Sequence, residues 1–357
     1  MTIARLIAVV LAFTYAVCAG MPEAGATPRW SLVVHGGAGV IDRADMTPEL
    51  EAQYRAAMSS ALEAGGAILE HGGAALDAVE TVVRALEDNP LFNAGRGAVF
   101  TADGKNELDA SIMDGRTRAA GAVAGLTRTR HPISAARAVM EASPHVLLIG
   151  EGAEAFARAR GLEEVEPSFF FTERRWRQLE ENLRQNNLPI PARPAGAPQR
   201  AAAHVPVDGE HLFGTVGVVA FDTHGDIAAG TSTGGTTGKR WGRAGDTPVI
   251  GAGTYAQNGV CGVSATGTGE YFIRVGVARA ICARMELADQ SARRAAAEVM
   301  EEVGALGGDG GVIVLDRRGR PAWAMNTSGM YRASLRQGGD PVVRIFADEE
   351  VHESEED

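Results

Sequence analysis

Hydroxyl side chains and glycines crowd the second half of the chain, where they could build a site for acyl transfer. They lie in four stretches, residues 214–217, 231–235, 242–246 and 264–270. Runs of Thr and Gly expose backbone N–H groups, which can hold an oxyanion. Arg243 and Asp246 stand three residues apart in one of these stretches, and such a pair can bind the carboxylate and the ammonium of a zwitterion. The alternative is that the two side chains pair with each other.

Thr215 stands where a nucleophile could be released by cutting the chain. It follows a stretch rich in Pro, Ala, Arg and Gln, and it begins a predicted strand. Cleavage of the bond between Gly214 and Thr215 would leave Thr215 with a hydroxyl and an α-amine. The unperturbed pKa of that amine, about 7.7–8.0, suits a base at neutral pH. Taken alone, the residue is better explained as an ordinary Thr at the start of a strand.

Other catalytic patterns in the chain are incomplete. Ser232 lies in a G-x-S-x-G match at residues 230–234, but that motif needs a sharp turn from strand into helix. The glycines at 235, 238 and 242 argue against such a helix. Lys239 follows a glycine as in a phosphate-binding loop, but the remaining residues of that motif are missing. The eight scattered histidines and the absence of H-E-x-x-H in the sequence predict no catalytic metal.

The elements that must position these residues predict a layered α+β fold with antiparallel sheets. Apolar runs and turn residues predict strands at 31–35, 121–126, 216–222, 226–233, 249–256, 259–265, 312–316 and 321–325. Helices are expected at 48–71, 74–87, 132–142, 151–160, 270–287 and 291–304. Between these elements, residues 163–213 are strongly charged and then rich in Pro and Ala, which predicts a linker or mobile loop.

The two ends of the chain differ in charge from the rest. After Arg5, residues 6–19 carry no charge, which predicts a signal peptide over residues 1–26 and export, with the periplasm as the expected location. Seven acidic residues in the segment 348–357 contribute most of the net charge of −11 and predict a solvated acidic tail. An acidic chain of this kind does not fit a nucleic-acid partner. Cys261 and Cys282 would remain after removal of the leader, and their spacing does not decide whether they pair.

Five ordered motifs resemble the plant-type L-asparaginase/isoaspartyl peptidase (β-aspartyl-peptidase) family of N-terminal-nucleophile (Ntn) hydrolases. They lie at residues 32–39, 89–97, 107–110, 214–217 and 231–235, and the likeness covers nearly all of residues 31–335. The resemblance implies an αββα sandwich, with two antiparallel sheets between helical layers. It also implies self-cleavage into an α subunit, residues 27–214, and a β subunit, residues 215–357, with two cleaved precursors forming an (αβ)2 heterotetramer. The implied activity is hydrolysis of L-asparagine to aspartate and ammonia, and removal of N-terminal β-aspartyl residues from dipeptides.

The same resemblance assigns roles to individual residues. Thr215 would be the nucleophile released by cleavage after Gly214, with Thr233 hydrogen-bonded to its hydroxyl and Asn93 nearby. Thr266 and Gly267 would form the oxyanion hole. The substrate would be bound by Arg243 at its α-carboxylate and by Asp246 at its α-ammonium, with help from Thr266, Gly267 and Gly269. No organic cofactor is implied, but backbone carbonyls would hold a structural sodium ion, those of Leu86, Glu87, Asn89, Phe92, Ala94 and Arg96. Arg96 departs from some members of the family and brings a charge near this loop.

Three alternatives remain open from the sequence. Glycosylasparaginase uses the same scaffold, although its members usually have Asp before the catalytic Thr and this chain has Gly214. A non-catalytic periplasmic amino-acid-binding protein could use Arg243 and Asp246 without chemistry. A serine esterase would act through Ser232.

Overall fold

The computed structural model describes residues 29–198 and 214–349. The predicted signal peptide at 1–26 lies outside the described residues, as do residues 199–213 and the tail from 350 onward. None of the helices in the described part is both long and apolar enough to cross a bilayer.

The described residues form twelve strands and eight α-helices. The strands are β1 Ser31–Gly39, β2 Leu108–Asp114, β3 Ala120–Leu126, β4 Leu147–Ile149, β5 Val216–Phe221, β6 Ile227–Thr233, β7 Thr254–Gln257, β8 Cys261–Gly267, β9 Gly310–Asp316, β10 Pro321–Met325, β11 Gly329–Arg336 and β12 Val342–Phe346. The helices are α1 Pro48–Glu70, α2 Ala75–Glu87, α3 Pro132–Ala142, α4 Gly150–Ala159, α5 Glu173–Gln185, α6 Gly269–Val275, α7 Val277–Ala288 and α8 Ala292–Ala305.

The strands form two sheets. One sheet has eight strands in the order β12-β11-β1-β5-β6-β2-β3-β4, and the other has four in the order β10-β9-β8-β7. The predicted hairpins β5/β6 and β9/β10 both form. Neighbouring strands are antiparallel except β3 and β4, which are parallel. That pair is connected through α3, since parallel neighbours need a crossover rather than a tight turn.

Side chains of the eight-stranded sheet alternate between two cores, because successive residues of a strand face opposite sides. On β1, Leu32 and Val34 pack with residues of α1, α2 and α3. Val33 faces the other way and packs in a core shared with the four-stranded sheet, α7 and α8. The order of layers is therefore helices, sheet, sheet, helices. The predicted αββα sandwich of Ntn-hydrolase type is confirmed.

The linker predicted at 163–213 is wrong for its first part, since residues 163–198 are packed on the body. Thr172 caps α5 by accepting a hydrogen bond from the Arg175 backbone N–H. Trp176, Leu179 and Leu183 form a buried stripe on this helix and pack with Phe100. Their spacing of three and four residues makes one apolar face. Because many charged residues lie between them, the composition of the segment does not reveal this face.

Two further predictions need correction. The helix expected at 270–287 is interrupted at Gly276, which adopts φ +67° and separates α6 from α7. The acidic tail predicted at 348–357 is docked at its start, because Glu349 accepts a hydrogen bond from the Ile345 backbone N–H at 2.6 Å and forms an ion pair with Arg55. Local attraction to a cation and to free backbone donors thus outweighs the mutual repulsion of the acids at this position.

Candidate active site

Thr215 and Thr233 meet at one end of the β5/β6 hairpin. In this antiparallel pair Val216 lies opposite Ser232, so the residue before β5 comes next to the last residue of β6. The Thr215 hydroxyl donates a hydrogen bond to the Thr233 hydroxyl oxygen at 3.0 Å. The Gly235 backbone N–H donates to the same oxygen at 3.0 Å, so the acceptor beside Thr215 is held from two sides.

Asn93 contacts the peptide group on the other side of Thr215. Its backbone N–H donates to the Gly214 carbonyl oxygen at 2.9 Å. Its side chain is fixed because Nδ2 donates to the Gly235 carbonyl at 2.7 Å and Oδ1 accepts from the Val99 backbone N–H at 2.9 Å. Gly37 packs against the same segment: its φ is +113°, and a Cβ there would lie only 2.6 Å from the Gly214 Cα. The bond between Gly214 and Thr215 is therefore tightly enclosed.

His35, which the sequence interpretation did not single out, supports Thr215 from β1. Its Nδ1 lies 3.1 Å from the Thr215 carbonyl oxygen, and its Nε2 lies 2.9 Å from the Ser264 hydroxyl. Complete burial lowers the pKa of His35 to about 3, so the ring is neutral at ordinary pH. The carbonyl can only accept, so Nδ1 carries the proton and Nε2 accepts from Ser264. A histidine inside an apolar strand was the only signal in the sequence.

Arg243 and Asp246 lie at the same cavity but do not pair by hydrogen bonds. The Arg243 Nε and Nη2 each donate to the Glu270 carboxylate at 2.8 Å, a partner that the sequence interpretation missed. Asp246 is only 4% exposed, and its Oδ2 has no hydrogen-bond partner among the described residues. Burial raises the pKa of Asp246 to about 7. Gly269 makes room for this residue, since a Cβ there would lie 2.8 Å from the Asp246 Oδ1.

One cavity joins these residues to the nucleophile candidate. It is lined by Gly214, Thr215, Thr233, Gly235, Thr236, Arg243, Gly245, Asp246, Thr247 and Gly267. Buried polar atoms normally have partners, yet in the described part of the chain Asp246 Oδ2 and Thr247 Oγ1 have none. A polar ligand bound in the cavity could supply hydrogen-bond partners for both atoms.

The predicted oxyanion residues lie at the end of β8, in the second sheet. Gly267 lines the cavity and adopts φ +156°, where a Cβ would come within 2.3 Å of the Asp309 carbonyl oxygen. The position therefore requires glycine. Thr266 is fully buried, and its hydroxyl has no hydrogen-bond partner among the residues described.

The loop after α2, predicted to bind sodium, is compact and rich in close backbone contacts. A Cβ on Gly95 would lie 2.3 Å from the Glu87 carbonyl oxygen, and one on Gly97 would lie 2.0 Å from the Phe92 carbonyl oxygen. Carbonyl oxygens suit a hard cation, and nowhere in residues 29–198 or 214–349 do His, Cys, Asp and Glu side chains cluster as metal ligands. Arg96 is exposed and stacks over Phe169, with its guanidinium carbon 5.7 Å from the ring centroid. Its charge thus lies at the surface. The resemblance implies that backbone carbonyls of this loop would hold the ion, and carbonyl oxygens are a ligand type that sodium accepts.

Ser232 does not stand at a nucleophile elbow. It lies inside β6, is fully buried, and donates to the Glu87 carboxylate at 2.6 Å. The strand-to-helix turn that the serine-hydrolase motif requires is absent at this position, so the esterase alternative loses its structural basis.

Comparison with known proteins places this site in a family. The family model described as asparaginase matches residues 28–345. The chain belongs to the asparaginase family. It is 49% identical over 316 residues to the isoaspartyl peptidase of Escherichia coli (strain K12), which covers 88% of this chain and 95% of the relative. It is 43% identical over 311 residues to the plant-type L-asparaginase of Pyrococcus abyssi, which covers 86% of this chain and 97% of the relative. The family predicted from the sequence motifs is thereby confirmed.

Proposed function

We propose that this chain is a self-cleaving threonine hydrolase that converts L-asparagine to aspartate and ammonia and removes N-terminal β-aspartyl residues from dipeptides. The observation that carries the proposal is the hydrogen bond from Thr215 to Thr233 in a cavity that also holds Arg243 and Asp246. The printed names of the relatives, isoaspartyl peptidase and plant-type L-asparaginase, support the same substrate class.

Self-cleavage begins at the enclosed peptide bond. The Thr215 hydroxyl oxygen attacks the Gly214 carbonyl carbon, and the Asn93 N–H, 2.9 Å from the carbonyl oxygen, stabilises the negative charge that develops there. The C–N bond breaks and the Thr215 nitrogen takes a proton, which leaves an ester. Water hydrolyses the ester to a Gly214 carboxylate and a free Thr215 hydroxyl. The products are the proposed α subunit, ending at Gly214, and the β subunit, residues 215–357.

Catalysis then uses the new amine as a base. It takes the proton of the Thr215 hydroxyl, whose oxygen attacks the side-chain amide carbon of the substrate. Gly267 and Thr266 stabilise the oxyanion, and Thr233 orients the nucleophile. Ammonia or an amino acid leaves with the proton, and water hydrolyses the acyl-enzyme. No organic cofactor takes part, and a sodium ion held by the loop 86–96 would stabilise the segment that carries Asn93.

Substrate recognition rests on two charges. Arg243 binds the α-carboxylate and Asp246 binds the α-ammonium, with Gly269 beside it. Both groups are free in L-asparagine and in an N-terminal β-aspartyl residue, because the scissile amide is on the side chain. An α-linked aspartyl peptide has lost the free α-carboxylate, and it would leave the guanidinium without that partner.

The mass of the purified protein tests the first step. Wild-type protein should give two fragments, the β subunit having 143 residues (357 − 214), and Thr215→Ala should give one. A single uncleaved chain that is fully active would contradict the mechanism, and an uncleaved chain that only binds aspartate would point to the amino-acid-binding alternative.

Three substrates test recognition. We expect hydrolysis of L-asparagine and β-Asp-Leu and none of α-Asp-Leu. Asp246→Ala should lose hydrolysis and keep self-cleavage, because the precursor presents no substrate ammonium. Comparable rates on the α- and β-linked dipeptides would refute the roles given to these two side chains.

We also propose export of the protein, a bound sodium ion and an (αβ)2 assembly. Export is supported by the uncharged run after Arg5, and N-terminal sequencing of protein from the native host should begin between Gly20 and Arg29. Comparing the Tm in sodium chloride with the Tm in choline chloride tests whether the protein binds sodium. Light scattering tests the assembly.

A further inference from the structure

Arg175 is a buried cation without an acidic partner in the described structure. It is 3% exposed on α5. Its Nε donates to the Gly97 carbonyl at 2.8 Å, and its Nη1 donates to the Gln178 side chain at 3.0 Å. Within residues 29–198 and 214–349 no Asp or Glu is paired with it. Burial, and then the neighbouring Arg174, lower the pKa of Arg175 to about 9. An uncompensated charge in such a place is unfavourable.

The remaining nitrogen of this guanidinium lies beside the proposed cleavage point. Nη2 is 3.8 Å from the position that a Cβ on Gly214 would occupy. The same Cβ position would lie 3.0 Å from the Asn93 Cβ, and the Asn93 N–H donates to the Gly214 carbonyl oxygen. A backbone donor and a buried guanidinium thus both lie close to the last residue of the proposed α subunit.

We propose that Arg175 and the Asn93 N–H form a binding site for the carboxylate that self-cleavage creates at Gly214. The inference rests on the proposed function, since only cleavage produces this group. In the precursor Gly214 ends in a neutral peptide group. Hydrolysis of the ester adds the oxygen of one water molecule to the Gly214 carbonyl carbon and leaves a carboxylate, while the Thr215 oxygen regains a proton.

The carboxylate has the negative charge that the site lacks in the precursor. One oxygen keeps the hydrogen bond from Asn93, and the other pairs with Arg175. A buried guanidinium binds a carboxylate strongly when no water competes. The ion pair with Arg175 therefore stabilises the cleaved protein and has no counterpart in the precursor, and it fixes the position of the new end of the α subunit.

Titration of the new carboxylate tests the proposal directly. Protein labelled with [1-13C]glycine gains one titrating glycine carboxylate on cleavage, that of Gly214, which is identified by its absence from uncleaved Thr215→Ala. In the wild type its NMR resonance should titrate well below the usual α-carboxyl range of about 3.3–3.7. In Arg175→Met it should return to that range. An unshifted titration in the wild type would overturn the proposal.

The Tm of Arg175 variants, measured in the cleaved and in the uncleaved protein, gives a second test. Arg175→Met should lower the Tm of the cleaved protein by about 5 °C more than it lowers the Tm of the uncleaved Thr215→Ala protein, since the hydrogen bond to the Gly97 carbonyl is lost in both and the ion pair only in the first. Arg184→Met is the matched control, since Arg184 is an exposed arginine on the same helix, and it should shift both proteins equally. Equal shifts for Arg175→Met in both backgrounds would overturn the proposal.

The remaining outcomes are also decisive. If wild type is cleaved but both Arg175→Met and Arg175→Lys stay uncleaved, Arg175 acts in the cleavage step and the proposed site is refuted. If Arg175→Met raises KM for β-Asp-Leu but not for L-asparagine, and the carboxylate titration is unchanged, the guanidinium binds the leaving amino acid instead. If wild type itself shows one chain, the proposed function has failed, and the carboxylate site fails with it.

Discussion

Asp246 must be ionised to bind an ammonium, and its burial makes that ionisation sensitive to pH. Its raised pKa of about 7 means that the carboxylate is lost as the pH falls through neutrality. We expect kcat/KM for L-asparagine to fall about tenfold per pH unit below about 7, and more steeply where the Thr215 amine is also protonated. A pH profile from 5 to 9 measures this effect.

The control for this prediction is self-cleavage, which does not use the substrate ammonium. Its rate should have the same pH dependence in wild type and in Asp246→Ala. A profile of kcat/KM that stays flat down to pH 5 would mean that Asp246 does not bind the substrate as a carboxylate.

Glu270 determines which edge of Arg243 is available. It occupies Nε and one N–H of Nη2, and leaves Nη1 beside Gly245, where a Cβ would lie 2.9 Å away. The carboxylate of a substrate can therefore bind the N–H groups that remain at the end of the guanidinium. We expect Glu270→Gln to raise KM for L-asparagine about tenfold with little change in kcat, because the guanidinium loses a charged hydrogen bond that orients it.

Glu286→Gln is the matched control, since Glu286 pairs with Arg279 at 2.9 Å at the surface, and it should leave KM unchanged. A lower KM for Glu270→Gln would show instead that Glu270 competes with the substrate for Arg243.

At the scale of elements, the periodicity of apolar residues predicted most of the helices and strands. It failed where contacts between segments distant in the sequence determine which residues are buried or paired. The helix expected to begin at residue 48 forms as α1, and the Thr47 side chain caps it by accepting a hydrogen bond from the Leu50 backbone N–H. The hairpin β5/β6, which brings Thr215 to Thr233, followed from its turn residues. The burial of α5 did not, because its apolar face is completed by Phe100 from another part of the chain. The pairing of Arg243 with Glu270 likewise joins a loop to the first turn of α6.

The disulfide between Cys261 and Cys282 joins β8, which ends in the predicted oxyanion residues, to α7. The sequence left this pairing open. The two cysteines are 21 positions apart in the sequence, and closing a loop of this size stabilises the folded state by about 3 kcal/mol. We expect urea unfolding under reducing conditions to show a free energy of unfolding lower by about that amount.

The double variant Cys261→Ala/Cys282→Ala is the control, because its stability should not respond to the reductant. Equal stability of the wild type with and without reductant would mean that the bond contributes nothing, or that it is not formed.

On the scale of the whole molecule, the proposed cleavage divides a sheet whose strands alternate between the two products. β1 belongs to the α subunit and lies between β11 and β5, both of the β subunit, and β6 of the β subunit pairs with β2 of the α subunit. The two subunits also share the core that contains Leu32 and Val216. Separating them would break backbone hydrogen bonds along three strand borders and expose that core to water.

We therefore expect the two fragments of the cleaved protein to elute together from size-exclusion chromatography in native buffer, at the volume of uncleaved Thr215→Ala. They should separate only in denaturant, and the cleaved protein should unfold in one cooperative transition, because the eight-stranded sheet and the core on its helix-covered side are built from both subunits. The cut peptide bond lies just before β5, and breaking it removes no contact within the sheets. The fold that positions Thr215 therefore persists after the cut. Elution of the two fragments at separate volumes without denaturant would contradict this account of the interleaved sheet.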